Sequence, residues 1–197
     1  NGVWYMKDLA GRNGCKEELV LKLVKCQRVA PSIPTEAENF MRLSRQHAGI
    51  MDDPVVAFPF MILSCLGPDR LKRYDLIIMR KVAGDRLANF IAHKVSMQQV
   101  KLIMQCLEKV GACLAEFHAR YGGEQHGDFQ GSNVMCDEEG DQIAIIDLGG
   151  MGIPTTSSDI EHFKKALELL SQAYGTQITN DAKRHFERGY ARGAGKG

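Results

Sequence analysis

The stretch QHGDFQGSNVM, Gln125–Met135, follows a long apolar helical pattern and sets an acid and, five residues later, an asparagine in a polar run. Asp, Gly, Ser and Asn are also the common residues of turns, so the run alone fits a plain connection between two elements. Its neighbours separate a connection from a catalytic loop. Upstream, VKLIMQCLEKVGACLAEFHARY (100–121) puts Val100, Met104, Leu107, Gly111, Leu114 and Phe117 on one helical stripe. Downstream, VMCD and QIAIIDLGG are short apolar runs joined by the acidic turn DEEGD, the pattern of a hairpin. That hairpin delivers Asp147 to the end of a buried strand, where an acid is costly without a cationic partner. Asp128, Asn133 and Asp147 then supply three oxygen-bearing side chains, suited to a hard divalent cation and to aligning a hydroxyl.

Working outward, VWYM (3–6) and ELVLKLVK (18–25) are β-prone runs expected to pair antiparallel. A helix is expected to open at PTEAENFMRLSRQH, with Thr35 as N-cap, acids in the first turn, and Ala37, Phe40, Met41 and Leu43 on its apolar stripe. VVAFPFMILSCL (55–66) and DLIIMRKV (75–82) predict two more strands, closing a sheet with one helix packed on it. AGD (83–85) interrupts the pattern, and from 86 to 121 the period is helical. Two further helices are expected over SDIEHFKKALELLSQAY (158–174) and NDAKRHFERGYA (180–191), before the glycine-rich tail RGAGKG. The order predicts the α+β class. A β-rich part, 1–82, carries one helix; a mainly helical part, 83–197, carries one small hairpin.

The 197 residues carry a formal net charge of +1, which argues against bulk attraction to nucleic acid or to an anionic membrane. No apolar run approaches the roughly 18 residues of a membrane span, and the N-terminal stretch lacks the layout of a signal peptide. The six cysteines, at 15, 26, 65, 106, 113 and 136, form no CxxC pair. They read as reduced thiols, hence a cytoplasmic or similar compartment.

His-Gly-Asp-x-x-x-x-Asn, a hairpin, then apolar-apolar-Asp-x-Gly resembles the two-lobed protein-kinase-like fold. The similarity is strongest to its aminoglycoside- and choline-phosphotransferase-like branch, in which His-Gly-Asp replaces His-Arg-Asp. The resemblance covers nearly the whole chain and implies a nucleotide-binding N-lobe over 1–82 and a catalytic C-lobe over 83–197. It implies ATP and magnesium as cofactors. Asp128 would orient the acceptor hydroxyl and take its proton, and Asn133 and Asp147 would hold magnesium. Lys22 would neutralise phosphate oxygens with Glu36 as its ion-pair partner; Lys25 and Glu38 are the competing choices. In LIIMRKVAGDRL, Met79 would be the gatekeeper, and Arg80, Lys81 and Val82 would offer backbone bonds to adenine. His126 would be a structural anchor of the loop.

Two departures stand out. The glycine-rich loop expected ahead of VWYM is missing from the sequence, and the region after Asp147 is short. Gln130 stands two residues after the expected base, where protein kinases usually carry Lys, and no Ala-Pro-Glu-like segment follows Asp147. Gln130 and the lack of that segment favour a kinase acting on a small hydroxyl-bearing molecule. The alternatives are a compact atypical protein kinase or ATPase resembling the small kinase of the KEOPS complex, working with protein partner subunits, and a nucleotide-binding pseudokinase.

Overall fold

A computed structural model of the chain describes residues 2–10, 16–26, 30–46, 53, 55–68, 70 and 72–195. It divides into two units. One takes Asn1–Asp53 and Ala57–Val82; the other takes Pro54–Val56 and Ala83–Gly197.

In the first unit, strands β1 (Gly2–Ala10), β2 (Lys16–Lys25), β3 (Pro59–Leu66) and β4 (Arg73–Arg80) form a sheet in the order β1-β2-β4-β3. Every neighbouring pair is antiparallel, and the expected β1–β2 pair sets Val3 opposite Lys22. Helix α1 (Glu36–Gln46) opens on a reciprocal cap. The Glu38 amide donates to Thr35 Oγ1 at 3.3 Å, and the Thr35 amide donates to Glu38 Oε2 at 2.8 Å. Two amides that the helix leaves without partners are satisfied this way. The helix buries Ala37, Phe40 and Leu43, whereas Met41 of the expected stripe is half-buried.

The run 55–66 is not one strand. Pro59 opens β3, as suits a residue with no amide to give to a ladder. Val55 and Val56, both buried, belong to the second unit. There the Ile145 amide donates to the Val55 carbonyl at 2.7 Å, and Val56 bridges Ile145 in parallel.

The second unit holds a small sheet of β5 (Asp85–Arg86), β6 (Val134–Cys136) and β7 (Ile143–Ile145). The expected hairpin is β6–β7, with Val134 opposite Ile145. The helical run 86–121 is two helices, α2 (Leu87–Ser96) and α3 (Val100–Arg120), separated where Gln98 turns left-handed at φ 58°. Helix α3 buries Met104, Leu107, Gly111, Leu114 and Phe117 as the stripe predicts, while Val100 is half-buried. The last part splits into α4 (Asp159–Glu168), α5 (Leu170–Tyr174) and α6 (Thr176–Ala194), so the final helix begins ahead of the expected 180.

Helices α3 and α6 meet backbone to backbone through two glycines. A Cβ on Gly111 would stand 2.1 Å from the Phe186 carbonyl oxygen, and one on Gly189 would stand 1.8 Å from that of Glu108. Phe129, Phe163 and Phe186 are fully buried in a row, with ring centroids 5.2 and 4.5 Å apart. Burying such a side chain contributes about 1.5–3 kcal/mol. The row ties the loop around Asp128 to α4 and α6. Among the described residues, no helix is long and apolar enough to cross a membrane, and Cys26, Cys65, Cys106 and Cys136 are free thiols.

Candidate active site

The two units each present part of the predicted constellation. In the first, Lys22 Nζ lies 2.8 Å from Glu36 Oε1 and 2.7 Å from Oε2. Lys22 stands mid-strand on β2, and Glu36 is the first residue of α1, where the helix N-terminus favours an acid. The Glu36 side chain is only 4% exposed, so the lysine charge offsets a carboxylate that burial would otherwise penalise. Glu38, the competing acid, is committed to the cap of α1.

In the second unit, the turn before β6 is tied at almost every residue. Gly127 has φ 81°, a left-handed conformation that side chains resist, and a Cβ there would lie 2.2 Å from the Gly150 carbonyl oxygen. The Asp128 carboxylate accepts from Gln130 Nε2 at 3.0 Å (Oδ1) and 3.2 Å (Oδ2), and from Asn133 Nδ2 at 2.9 Å. Asn133 Nδ2 also donates to the Asp128 main-chain oxygen at 2.9 Å. The next ladder step brings Asp147 close in register: the Ile146 amide donates to the Asn133 carbonyl at 3.0 Å. Asp147 itself is left-handed (φ 65°, ψ 82°), and its Oδ1 accepts from the Gly149 amide at 3.2 Å. A non-glycine residue at positive φ stores strain of the kind that gathers at functional sites.

His126 is fully buried between these parts. Its Nε2 lies 3.1 Å from the Ile146 carbonyl, which can only accept, so Nε2 carries the proton. Nδ1 is then the acceptor for the Asp128 amide at 3.3 Å. Burial pushes the imidazole pKa below its ordinary value, against smaller opposing effects from the Ile146 carbonyl and the nearby acids. A neutral, doubly bonded ring is an anchor rather than a proton carrier.

Sequence reasoning missed Asp159. Buried at the start of α4, it accepts from the His126 amide at 2.6 Å, from the Gly127 amide at 2.9 Å and from His118 Nε2 at 3.0 Å. Its own amide donates to Gln125 Oε1 at 2.8 Å, so Gln125 to Gly127 are clamped onto the helix. Burial pushes the Asp159 carboxyl up, but His118 and the two amides outweigh it and hold the pKa below the ordinary carboxylate value. His118 Nδ1 continues the chain to the Tyr190 hydroxyl at 2.9 Å.

Compared with solved structures, the chain is similar to the amicoumacin kinase hAmiN in complex with AMP-PNP, Ca2+ and Ami, with a TM-score of 0.59 over 96% of this chain. It is also similar to the BubR1 kinase domain, with a TM-score of 0.51 over 77% of this chain. The fold is protein-kinase-like. The sequence identities are 13% and 15%, and the matches span 69% and 42% of those two chains. No protein-family model matches the sequence, and no curated protein matches it.

Within this kinase-like fold, the segment expected as the hinge is the end of β4. Met79 is buried, and Arg80 pairs with Leu19. The Lys81 amide donates to the Glu18 carbonyl at 2.9 Å, and Lys81 Nζ lies 2.5 Å from Glu18 Oε2. The Lys81 amide is thus committed inside the sheet, which leaves its carbonyl and the backbone of Val82 as groups that could meet a base. Asn133 and Asp147 make an all-oxygen donor pair of one amide and one carboxylate. Such a pair fits magnesium, which takes one or two side chains and completes its shell with waters and phosphates. No group of three His, Cys, Asp or Glu residues suited to a metal occurs among the described residues.

Proposed function

We propose that the protein is an ATP-dependent phosphotransferase that moves the γ-phosphate of ATP to a hydroxyl of a small molecule. What carries the reading is the Asp128 carboxylate, fixed by Asn133 and Gln130 on a turn clamped by Asp159. Phosphoryl transfer asks the protein mainly for positioning and charge stabilisation, and a carboxylate restrained on several sides meets the first demand. Asp128 orients the acceptor hydroxyl and accepts its proton as the oxygen attacks phosphorus and the bond to the departing ADP breaks. Lys22, held by Glu36, neutralises phosphate oxygens. The Met79 side chain and the backbone of Lys81 and Val82 receive the adenine. Asn133 Oδ1 and Asp147 hold magnesium, which when bound offsets phosphate charge. His126 and Asp159 keep the turn in shape.

Gln130 supports a small-molecule acceptor. Its amide covers both Asp128 oxygens, at the position where protein kinases usually carry a cationic lysine.

The test is ATP turnover with magnesium against a panel of aminoglycosides, amino alcohols and sugars, alongside protein substrates and no acceptor. Transfer to a small alcohol that disappears in Asp128→Ala is the expected result. Transfer to protein alone would favour the atypical protein kinase. ATP binding without turnover, unchanged by Asp128→Ala, would favour the pseudokinase.

A further inference from the structure

The sheet of the first unit carries apolar residues on both faces, with Lys22, Asp75 and Ser64 on one of them. Lys22 marks one face, to which Glu36 joins α1, and in register with it stand Val20, Val24, Ile77 and Met79. On the opposite face, two adjacent rows cross all four strands: Trp4–Leu21–Ile78–Met61 and Gly2–Leu23–Leu76–Leu63. Met6 and Leu19 extend the patch on one side, and Tyr74 and Cys65 on the other. Lys25 and Arg80 stand at its two ends, and the central rows contain no ionisable side chain. Trp4, Met6, Met61 and Leu63 are 40–52% exposed. A Cβ on Gly2 would lie 2.5 Å from the Trp4 ring, so the indole lies across this face rather than away from it.

An antiparallel sheet with one solvated face normally alternates apolar residues inward and polar residues outward. This one does not alternate. Two full rows and two half rows, on strands about 4.8 Å apart and rows about 7 Å apart, give an apolar patch of about 400 Å². That lies in the range of the largest apolar patch a monomer carries, which is often a working surface. Buried against a copy of itself, it would remove about 800 Å², the size of a weak, transient contact.

We propose that this face is where two copies of the chain associate, sheet packed on sheet. A two-fold contact sets the same patch against itself, which needs a surface free of opposed like charges, and the two central rows meet that need. Two sheets so packed would sit about 10 Å apart with their side chains interleaved. The charge-free rows do not suit nucleic acid, whose phosphates call for Lys and Arg. Lys25 and Arg80 alone flank the patch, fewer than the roughly 4–8 basic residues that mark recognition of an anionic lipid surface. The proposal is independent of the phosphotransferase reading, because dimerisation is measured without substrate or turnover.

The experiment is sedimentation velocity on the full chain between about 1 and about 200 micromolar. A monomer–dimer equilibrium in that range is expected, weakened at least about tenfold by the double substitution Met61→Lys and Leu63→Lys. Circular dichroism checks that the variant is folded. A second measurement needs no variant: maleimide labelling of the exposed Cys65 thiol, at the rim of the patch, should slow as the parent protein dimerises. A chain that stays monomeric overturns the proposal. So does a dimer indifferent to the double substitution, or one in which Cys65 labels at the monomer rate. Monomers that instead bind RNA or anionic vesicles through this face overturn it as well.

Discussion

One nitrogen of Asn133 serves Asp128 twice, donating to its main-chain oxygen and to its Oδ2, each at 2.9 Å. The amide oxygen of Asn133 is thereby directed away from Asp128, the orientation a metal-binding asparagine needs. Asp128→Ala should lower the rate of phosphate transfer by about 10²–10⁴-fold, the range for loss of a general base. Asn133→Leu should lower the rate too, and should raise the magnesium concentration for half-maximal activity, because it releases Asp128 and removes an oxygen donor. Steady-state kinetics over a magnesium series separate these two effects.

Glu36 and Glu38 lie two residues apart on α1 and should behave as different kinds of residue. Glu36→Gln weakens the hold on Lys22, so the KM for ATP should rise with a modest loss of stability. Glu38→Ala removes half of the helix cap, costing about 0.5–1 kcal/mol, with the KM for ATP unchanged. Nucleotide titration and thermal melts on both variants check the contrast. A rise in KM for Glu38→Ala equal to that for Glu36→Gln would refute the assignment.

Gly127→Ala should be among the most damaging single-methyl additions. It asks a non-glycine residue to hold φ 81° and drives the new carbon into the Gly150 carbonyl. Strain at positive φ alone costs about 1–3 kcal/mol. A melting temperature lowered by several degrees, together with lost activity, is expected by calorimetry and turnover; Ala at the open glycine Gly122 should cost less, since only φ opposes it.

Stability should fall in two steps as pH is lowered. His126 has a folded pKa below its unfolded value of about 6.5, so the unfolded chain binds a proton first. Stability therefore begins to drop as pH falls through about 6.5, and continues to drop until the depressed folded value is reached. Asp159 also has a depressed folded pKa, so its contribution is complete above its unfolded value of about 3.9. That contribution is lost as pH falls from there through the folded value. His126→Gln should flatten the upper step and Asp159→Asn the lower one, read from melting temperature against pH.

The turn around Asp128 was legible in the sequence because its geometry is local. A fixed spacing separates Asp128 from Asn133, and a hairpin with an obvious acidic turn returns the chain to Asp147. Asp159 was not legible, because its partners lie about thirty residues upstream and Ser-Asp at a helix start already has a local explanation as a cap. Val55 and Val56 were absorbed into a strand for a related reason. Hydropathy marks them as buried but cannot say against what, and only Pro59 signals a new start. The break between α2 and α3 was hidden because both helices keep their apolar period, and the left-handed residue that parts them is Gln98 rather than a glycine. Glu36 was preferred to Glu38 from the sequence, through its helical offsets to Phe40 and Leu43, and Lys22 pairs with Glu36.

The Val55–Ile145 bond gives the chain an unusual bookkeeping of its own. The second unit is threaded by two separate passages of chain, one of them only Pro54–Val56, placed between residues of the first. A fragment starting at Ala83 therefore lacks Val55, whose carbonyl accepts from the Ile145 amide. Engineers seeking to swap, shorten or express the helical portion alone would have to supply that short segment in trans or graft it back by circular permutation.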